Sequence, residues 1–518
     1  MARLLDPIAR RRGDVPALID EHGTTTWPVL AERVNRLVNG LRDLGVAPGD
    51  TIAAMVGNRR EFLELSLAVG HAGLVMVPVN WHWVADELAY VLDDAGAVAL
   101  VAEERFAGVA VEARERVPAC RAGVMIGGEA PSGFAGYEEL LAAASPAEPP
   151  DQTIGAPMFY TSGTTGFPKG VRSSMIPVGG DLALLELFRE GFRGSIGLPE
   201  DGMTLLCGPA YHSAQWAMSV LPTMVGSSVV MRHRFDPAET LELVDRHRVT
   251  NVHLVPTQML RMLRLDDETR ARFDGSSLCL VLHGAAPCPV EVKRRMLEWW
   301  GPVITEYYGG TEGGFLTMIS AQEWLARPGS VGRATGTVEL FVVRDDGTRA
   351  GPGEEGQIYF RSLLGNDFEY HNAPEKTQAA HLEPGVGTLG DVGYLDEDGY
   401  LFMTDRRIDM IISGGVNIYP AEIEGVLVSH PAVADVAVFG VPDDEMGESV
   451  KAAIELTPGH EPSDATAAEL VAHCREHLAG YKAPRSIDFH EQLPRLPTGK
   501  LSKRSLRDPY WEGADRRI

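Results

Sequence analysis

Short apolar strands alternate with amphipathic helices along much of the chain, and this alternation limits the possible folds more than any other feature. TIAAMVG (51–57) predicts a strand, EFLELSLAVGHAG predicts the helix after it, and LVMVPVN predicts the next strand. The same order returns in SSVVMR, PAETLELVDRHR and TNVHLVP, and SSLCLVL (276–282) predicts a further buried strand. Strands joined through helices form βαβ units, so we expect mostly parallel sheets.

The pattern changes twice along the chain. Residues 328–404 are strand-like and rich in glycine, which indicates a β-barrel-like part. After TDRRIDMII, two strand patterns and the helix DATAAELVAHCREHLAG, with Gly480 as its expected cap, indicate a small α+β unit. A chain of 518 residues exceeds one compact core. We therefore expect an α/β protein: a large N-terminal domain (1–404) of two α/β sheet subdomains plus the β-barrel-like subdomain, a hinge (405–409) and a mobile C-terminal domain (410–518).

Composition excludes several classes of function. The net charge of -25 opposes binding to nucleic acid or to an anionic membrane, because both require cationic patches. The five cysteines include no CxxC pair, which disfavours a disulfide framework or a structural zinc site and favours the reducing cytoplasm. No apolar run is long enough to predict a membrane span. We expect a cytoplasmic protein, either a monomer or a homodimer, that acts on a small molecule.

The segment TSGTTGFPKG (161–170) is the first candidate binding loop. Its ten residues include four hydroxyl side chains, three glycines and one lysine, and its only large apolar side chain is Phe167. Glycines let backbone amides approach a ligand, and hydroxyls and a lysine add donors, so this composition predicts a loop that holds phosphates. The spacing differs from the GxxxxGK[ST] loop of P-loop nucleotide-binding proteins.

Four further clusters follow that loop along the chain. They are EYYGGTEGG (306–314), LGDVGYLDEDGY (389–400), DRRIDMIISGGVNIYPAEIE (405–424) and LPRLPTGKLSKR (493–504). In order and spacing, the five segments resemble the motifs of the adenylate-forming superfamily, which contains acyl- and aryl-CoA synthetases, adenylation domains of nonribosomal peptide synthetases and beetle luciferases. HGAAPCP (283–289), EYYGGTEG and SGGVNIYPAEIE are most similar to segments of bacterial fatty-acid and aryl acid–CoA ligases.

This resemblance implies a site for ATP and Mg²⁺. Glu312 would be the metal carboxylate, Thr311 would contact the α-phosphate, and Asp391 would accept hydrogen bonds from the ribose hydroxyls. Arg406 would reach the ribose and a phosphate. The residues that would hold the triphosphate are Thr161, Ser162, Gly163, Thr164, Thr165 and Lys169, and those that would surround the adenine are Gly284, Ala285, Ala286, Tyr308 and Gly309.

The resemblance also implies two half-reactions. Lys500 would bring a cation to the carboxylate and the α-phosphate during adenylation. The small domain would then rotate about Ile408, a position where the family usually has Asp or Lys, and withdraw Lys500. That rotation would bring Ser413, Gly414 and Gly415 to the site, where they would line a tunnel for the pantetheine of CoA.

AYHSAQWAM (210–218) corresponds to the family segment that lines the acid pocket. His212 is a candidate catalytic residue that would gate the pocket or touch the carboxylate, although a structural histidine is also consistent with the sequence. Four other residues are candidate pocket walls: Gln215, Trp216, Gly310 and Phe315. Tryptophan and glutamine indicate a bounded pocket, which favours an aryl or medium-chain acid. The remaining histidines are given no role.

The leading hypothesis is an ATP-dependent carboxylic acid–CoA ligase that uses ATP, Mg²⁺ and CoA. One alternative keeps adenylation and loads the acid onto a carrier-protein thiol. Another activates nitrite for diazotisation, as some natural-product enzymes similar to this family do. A non-catalytic nucleotide-binding regulator would be expected to lack Lys169, Glu312 or Lys500, and all three are present.

Overall fold

The structure, a computed structural model, describes residues 4–161, 168–406, 409–413, 416–443, 446–495 and 501–512. The side chains of residues 405, 406, 416 and 417 lie outside this description. No helix in the described ranges is long and apolar enough to cross a membrane.

The helices and strands follow one another in the predicted alternation. The helices are α1 (Asp6–Arg12), α2 (Trp27–Asp43), α3 (Arg60–Ala72), α4 (Ala85–Asp94), α5 (Ala107–Glu115), α6 (Tyr137–Ala143), α7 (Leu182–Ile196), α8 (Ser213–Met224), α9 (Pro237–His247), α10 (Pro256–Leu263), α11 (Asp267–Arg272), α12 (Val290–Trp300), α13 (Ala321–Ala326), α14 (Pro374–Ala379), α15 (Pro420–Ser429), α16 (Asp464–His477) and α17 (Lys503–Trp511). The strands are β1 (Pro16–Asp20), β2 (Gly23–Thr26), β3 (Thr51–Met55), β4 (Val75–Pro78), β5 (Ala97–Glu103), β6 (Ala122–Ile126), β7 (Ala135–Gly136), β8 (Ala156–Pro157), β9 (Phe159–Thr161), β10 (Lys169–Ser173), β11 (Met203–Leu206), β12 (Ser228–Met231), β13 (Asn251–Leu254), β14 (Leu280–His283), β15 (Ile304–Gly310), β16 (Gly314–Ile319), β17 (Ser330–Ala334), β18 (Val338–Val343), β19 (Gly356–Ser362), β20 (Phe368–Tyr370), β21 (His381–Glu383), β22 (Val386–Gly387), β23 (Asp391–Leu395), β24 (Tyr400–Arg406), β25 (Ile411–Ser413), β26 (Val416–Ile418), β27 (Val433–Asp443), β28 (Gly447–Leu456) and β29 (Ser486–His490).

Two parallel sheets form the first part of the large domain, as the alternation of helices and strands predicts. One has the strand order β7-β6-β5-β3-β4-β8, and all its pairs are parallel. The other contains the parallel run β1-β12-β11-β13-β14-β15. Apolar side chains from both sheets and from α2, α3 and α8 share one buried core. Strands β3 and β14 are fully buried. They are mostly apolar because both faces of a parallel sheet are covered.

The second parallel run continues into antiparallel strands. β15 turns back on β16, and β17, β24, β23 and β19 follow by antiparallel pairing. This is the β-barrel-like part, but the strand pairings of the described residues form an open sheet and do not close into a ring. The fold class is confirmed, with this part described more accurately as a sheet extension.

The C-terminal part has its own sheet and core. Strands β25 to β29 form a mixed sheet, and α15 and α16 pack their apolar side chains against it. One local prediction is wrong. The helix α16 ends at His477, where the extended backbone of Leu478 stops it, so Gly480 does not cap it. Gly480 instead begins a short 3-10 turn.

The junction of the two parts has defined contacts. β24 continues to Arg406 and pairs with β23, so residues 405 and 406 still belong to the sheet of the large domain. Arg264, just after α10, donates hydrogen bonds to two main-chain carbonyls of the small domain, those of Val433 (2.6 Å) and Ala434. Tyr419 donates to Glu355 across the same junction, at 2.9 Å. Among the described residues, each apolar core belongs to one part only, so these polar contacts join the small domain to the large one.

Candidate active site

The end of β15 forms the centre of a large cavity. Tyr308, Gly309 and Gly310 end the strand, and the turn at Thr311 and Glu312 leads into β16. A Cβ on Gly309 would lie only 1.9 Å from the carbonyl oxygen of the residue that opens β16, so this position accepts glycine alone. β15 is the last strand of the parallel run, and ligands of parallel sheets bind at the carboxyl ends of the strands.

Thr311 is held in place by the first residue of α8. Its Oγ1 lies 2.9 Å from Oγ of Ser213, a distance at which the two hydroxyls share a hydrogen bond. One hydroxyl donates and the other accepts, so the lone pairs and the remaining proton stay available to a ligand. This bond joins the β15–β16 turn to the helix that follows His212.

Glu312 lies beside a tyrosine and close to Lys169, which has Lys376 as a second neighbour. The Tyr370 hydroxyl donates to Glu312 Oε1 at 3.0 Å, and Lys169 Nζ lies 5.3 Å from the centroid of the Tyr370 ring. Burial lowers the pKa of Lys169, the nearby Lys376 lowers it further, and Glu312 opposes that shift. An anion placed here would stabilise Lys169 in its charged form.

The donor set around Glu312 also fits a hard divalent cation. Among the described residues only Oε1 of its carboxylate accepts a hydrogen bond, which leaves Oε2 as an oxygen ligand. Mg²⁺ prefers one or two carboxylates together with phosphate oxygens. A carboxylate and a lysine in one cavity therefore suit Mg²⁺ and a phosphate chain bound together.

A second polar pair involves the end of β15. The Tyr308 hydroxyl donates to Asp391 Oδ2 at 2.9 Å, and both residues are buried yet line the cavity. Asp391 begins β23 and pairs with Arg406 of β24, so the backbones of these two candidates lie side by side. Ala285, which also lines the cavity, has a φ of 66° and turns the loop after β14 toward it.

Replacing Tyr308 with phenylalanine is expected to raise the KM for ATP about threefold to tenfold, with kcat nearly unchanged. The substitution removes one hydrogen bond to a buried carboxylate; such bonds to a charged group contribute about 1.5–3 kcal/mol, and only part of this is lost from ATP binding because the carboxylate itself remains. Initial rates over a range of ATP concentrations measure the change. Tyr307→Phe is the matched control, because its hydroxyl bonds to His253 instead; an equal rise in both variants would contradict the assignment.

The acid side of the cavity contains a buried polar chain. Gln215 Nε2 lies 2.9 Å from His253 Nδ1, and His253 Nε2 lies 3.0 Å from the Tyr307 hydroxyl. Burial, and to a smaller extent the charge of His212, lowers the pKa of His253 to about 3, so its ring is neutral. His212 lines the cavity at the start of α8.

Aromatic side chains form the rest of this side. Phe315 meets the Tyr307 ring edge-on at 4.6 Å between centroids and stacks on Phe192 at 6.0 Å. Trp216 packs edge-on against Phe159 and donates through Nε1 to the Ser66 hydroxyl. The wall is therefore largely apolar, and among the described residues the buried Oε1 of Gln215 and the hydroxyl of Tyr211 have no hydrogen-bond partner.

Comparison with known proteins decides the family. The chain matches the model of the AMP-binding enzyme over residues 5–364 and that of the AMP-binding enzyme C-terminal domain over residues 422–500. It belongs to the AMP-binding enzyme family. The resemblance of the five sequence motifs to adenylate-forming enzymes is confirmed.

Relatives of this AMP-binding enzyme span almost its whole length. A feruloyl-CoA synthase from Amycolatopsis sp is 36% identical over 97% of this chain and 97% of its own. A fatty acid–[acyl-carrier-protein] ligase, ScoC from Streptomyces coeruleorubidus, is 31% identical over 98% and 96%. The solved structure of the anthranilate CoA ligase AuaEII in complex with anthranoyl-AMP is similar with a TM-score of 0.87. It is 26% identical and covers 99% of this chain and 98% of its own. The chain is an ATP-dependent, AMP-forming acid ligase.

Most of the predicted site residues that the structure describes line one cavity of this AMP-binding enzyme. They are Thr161, Lys169, His212, Gln215, Trp216, Ala285, Ala286, Tyr308, Gly309, Gly310, Thr311, Glu312, Phe315 and Asp391. Gly284 is not part of that surface. A Cβ at Gly284 would lie 2.7 Å from the Tyr307 ring, so a glycine here lets the chain after β14 approach β15. Ser413 is buried and pairs with Gly447 in the small domain's sheet.

Several predicted residues lie outside the described residues. They are Ser162, Gly163, Thr164, Thr165, Ile408, Gly414, Gly415 and Lys500, together with the side chain of Arg406. Their assigned roles stay predictions.

Sequence reasoning missed the partners that position this AMP-binding enzyme's candidates. Tyr370 bonds to Glu312 across 58 residues, and His253 bonds to Gln215 across 38. Neither partner belongs to a motif, so only the strand pairing of β10 with β20 and the packing of α8 on β13 bring them to the site. Ser213 had one available signal, its position next to His212 at the start of a helix.

Proposed function

We propose that this enzyme is a carboxylic acid–CoA ligase that first joins the acid to AMP and then transfers the acyl group to CoA. The observation that carries the proposal is that one cavity contains the turn at Thr311, a charged group and an aromatic wall. The charged group contains Lys169 and Glu312, and the wall contains Phe315 and Trp216. A triphosphate bound at the charged group and a carboxylic acid bound at the wall would share that cavity.

In the first half-reaction, an oxygen of the acid attacks the α-phosphorus of ATP and pyrophosphate leaves. Glu312 would hold Mg²⁺, which supplies electrostatic stabilisation of the charged phosphate oxygens when it is bound. Lys169 would neutralise the leaving pyrophosphate, and the Thr311 hydroxyl, oriented by Ser213, would hydrogen-bond to the α-phosphate. Lys500 would complete the cationic surroundings of the reacting oxygens.

In the second half-reaction, a thiol would displace AMP. We propose CoA as the acceptor, supported by relatives whose names are CoA synthases and ligases. Ser413, Gly414 and Gly415 would line the pantetheine tunnel after the small domain rotates about Ile408. The resemblance to a fatty acid–[acyl-carrier-protein] ligase supports a second candidate, in which the thiol belongs to a carrier protein.

We propose an apolar acid, aryl or medium-chain, as the substrate. The wall of the cavity is formed largely by aromatic rings, and one face of α7 extends it: Leu184, Leu187, Phe188, Gly191, Phe192 and Ser195. These positions recur at helical spacing, so they form a single stripe along the helix. Gly191 lies in the middle of the stripe, and a Cβ added there would meet no atom within 4 Å. This position therefore leaves space for the acid.

Replacing Gly191 with leucine is expected to lower kcat/KM at least about tenfold for bulky aryl acids while sparing acetate-sized acids. The added side chain would occupy the space beside Phe192, and the loss of well-packed apolar contact with a bulky acid is worth about 1–3 kcal/mol. Gly194→Leu is the matched control: it lies on the same helix, also has no atom within 4 Å, and does not line the cavity. Equal losses in both variants would show an effect on the helix alone.

One experiment tests acid and acceptor together. Pyrophosphate release is measured over a panel of aryl, medium-chain and long-chain acids and nitrite, with and without CoA. We expect release with an aryl or medium-chain acid, followed by acyl-CoA formation only when CoA is present. Acyl-AMP that accumulates despite CoA, but is discharged by a carrier protein, would favour the second candidate. Pyrophosphate release with nitrite, and with none of the carboxylic acids, would contradict both candidates and favour nitrite activation.

The cytoplasm is the proposed location. Its support is the strongly acidic composition and the five cysteines, all of which are unpaired thiols in the structure.

A further inference from the structure

A group of metal-binding side chains lies at the end of α16, on the small domain. His473 and His477 are four residues apart in the sequence HCREH, so they project from the same face of the helix, and Glu476 lies beside them. One ligand atom from each of the three residues lies within 4.8 Å of the others, and the two imidazole centroids are 4.5 Å apart. Glu476 and His477 are exposed, and His473 is half-buried.

Hydrogen bonds fix the protonated nitrogen of His477. Its Nδ1 lies 2.8 Å from the carbonyl oxygen of His473. A carbonyl can only accept, so Nδ1 carries the proton and Nε2 carries the lone pair. The ring therefore presents a metal-binding nitrogen toward the outside of the helix.

His473 is fixed by the last turn of α15. Its Nε2 lies 3.2 Å from the carbonyl oxygen of Val426 and 3.2 Å from the hydroxyl of Ser429. Ser429 already donates its own proton to that carbonyl at 2.6 Å, so both neighbours accept from His473 Nε2–H. The lone pair is then on Nδ1. His430 packs edge-on against the same ring at 5.0 Å and limits its rotation.

These are the contacts by which metal-binding histidines are usually oriented: the second ring nitrogen donates to a main-chain carbonyl, and the first is left to bind the ion. We propose that His473, Glu476 and His477 form a surface site for a late first-row divalent cation such as Zn²⁺. Two imidazoles and one carboxylate suit this class, whereas Mg²⁺ requires oxygen ligands. Bonds of about 2.0–2.2 Å require the three ligand atoms to move closer together, and the exposed Glu476 and His477 side chains are free of the core packing that would prevent it.

The site is separate from the reaction described above. The lining of the active-site cavity includes Val426 and Ser429 of α15 but none of the three proposed ligands, which lie on α16. A bound Zn²⁺ would connect the final turn of α16 to α15 through His473. This end of α16 has Leu478, and not a glycine, at its C-cap. The proposal therefore does not depend on which acid or acceptor the enzyme uses.

A competition titration tests the proposal. The full-length protein, freed of metal, competes for Zn²⁺ with a chromophoric chelator in buffer that contains excess Mg²⁺. Cys279→Ser serves as the background, because Cys279 is an exposed thiol that could bind Zn²⁺ by itself. We expect one equivalent of Zn²⁺ to bind, and His477→Gln and His473→Gln each to weaken that binding about tenfold or more.

His460→Gln is the matched control, since His460 is an exposed histidine of the same domain that bonds to Thr457 and lies outside the cluster. We expect it to leave the affinity unchanged. The absence of a bound equivalent in the background protein would overturn the proposal. So would an affinity that is unchanged in His473→Gln and His477→Gln, or one that falls equally in His460→Gln. Circular dichroism of each variant shows that the domain has kept its fold.

Discussion

Replacing Glu312 with glutamine is expected to slow acyl-adenylate formation by about 10²–10³-fold. Glutamine keeps the size of the side chain and can still accept the hydrogen bond from Tyr370, but it removes the charge that would hold Mg²⁺ beside the phosphates. Acid-dependent exchange of radiolabelled pyrophosphate into ATP measures this half-reaction directly. We expect the loss to appear mainly in kcat and to be only partly recovered by additional Mg²⁺.

Tyr370→Phe is the control for Glu312→Gln. It removes the hydrogen bond to Oε1 but leaves the carboxylate charge, so a loss of less than about tenfold is expected. If Glu312→Gln exchanges pyrophosphate within threefold of the wild type, Glu312 is not the metal carboxylate. If both variants lose activity equally, the tyrosine bond, and not the charge, is the important feature.

Lys500→Ala is expected to separate the two half-reactions. Pyrophosphate exchange should fall by more than about 10²-fold, because the reacting carboxylate and α-phosphate lose a positioned cation. Reaction of pre-made acyl-AMP with CoA should stay within a fewfold of the wild-type rate, because Lys500 would be withdrawn during that step. Single-turnover measurements distinguish the two outcomes when one set starts from acid and ATP and the other starts from acyl-AMP and CoA.

Lys503→Ala provides a matched control on the same segment. Lys503 pairs with Glu424 within the small domain at 2.8 Å, so its loss should leave both half-reactions intact. Equal inhibition of both half-reactions in Lys500→Ala would contradict the assigned role, and so would normal exchange. If Lys503→Ala also slows pyrophosphate exchange, the positive charge of the whole segment, and not Lys500 in particular, is what the reaction requires.

The parts of the fold that depend on local pattern could be predicted from the sequence. The alternation of apolar strands and helices predicts parallel sheets, because β3, β12 and β14 are buried along their whole length and are mostly apolar. Thr311 and Glu312 could be proposed from the sequence because they occur in a contiguous motif, and both line the cavity. What could not be predicted is pairing over long sequence separations, which depends on packing of whole elements: the contact of Tyr370 with Glu312 is the main case.

The end of α16 shows a different limit. A glycine after a helical pattern suggests a cap, yet the helix stops before Gly480 because Leu478 adopts an extended backbone. The histidines of the same turn were given no role, although their spacing of four residues is readable in HCREH. Only their hydrogen bonds to Val426 and to the helix backbone indicate which nitrogens are available.

The contact of Arg264 with the small domain limits what could control the proposed rotation of that domain between the two half-reactions. Its acceptors are peptide carbonyls, so substitutions at Val433 or Ala434 leave the same oxygen atoms in place. Burial lowers the pKa of Arg264, yet a guanidinium stays protonated at physiological pH. Acidity therefore cannot release this contact. Hydrogen bonds to a charged group contribute about 1.5–3 kcal/mol each, so in the proposed rotation the binding of substrates would have to supply the free energy that breaks them.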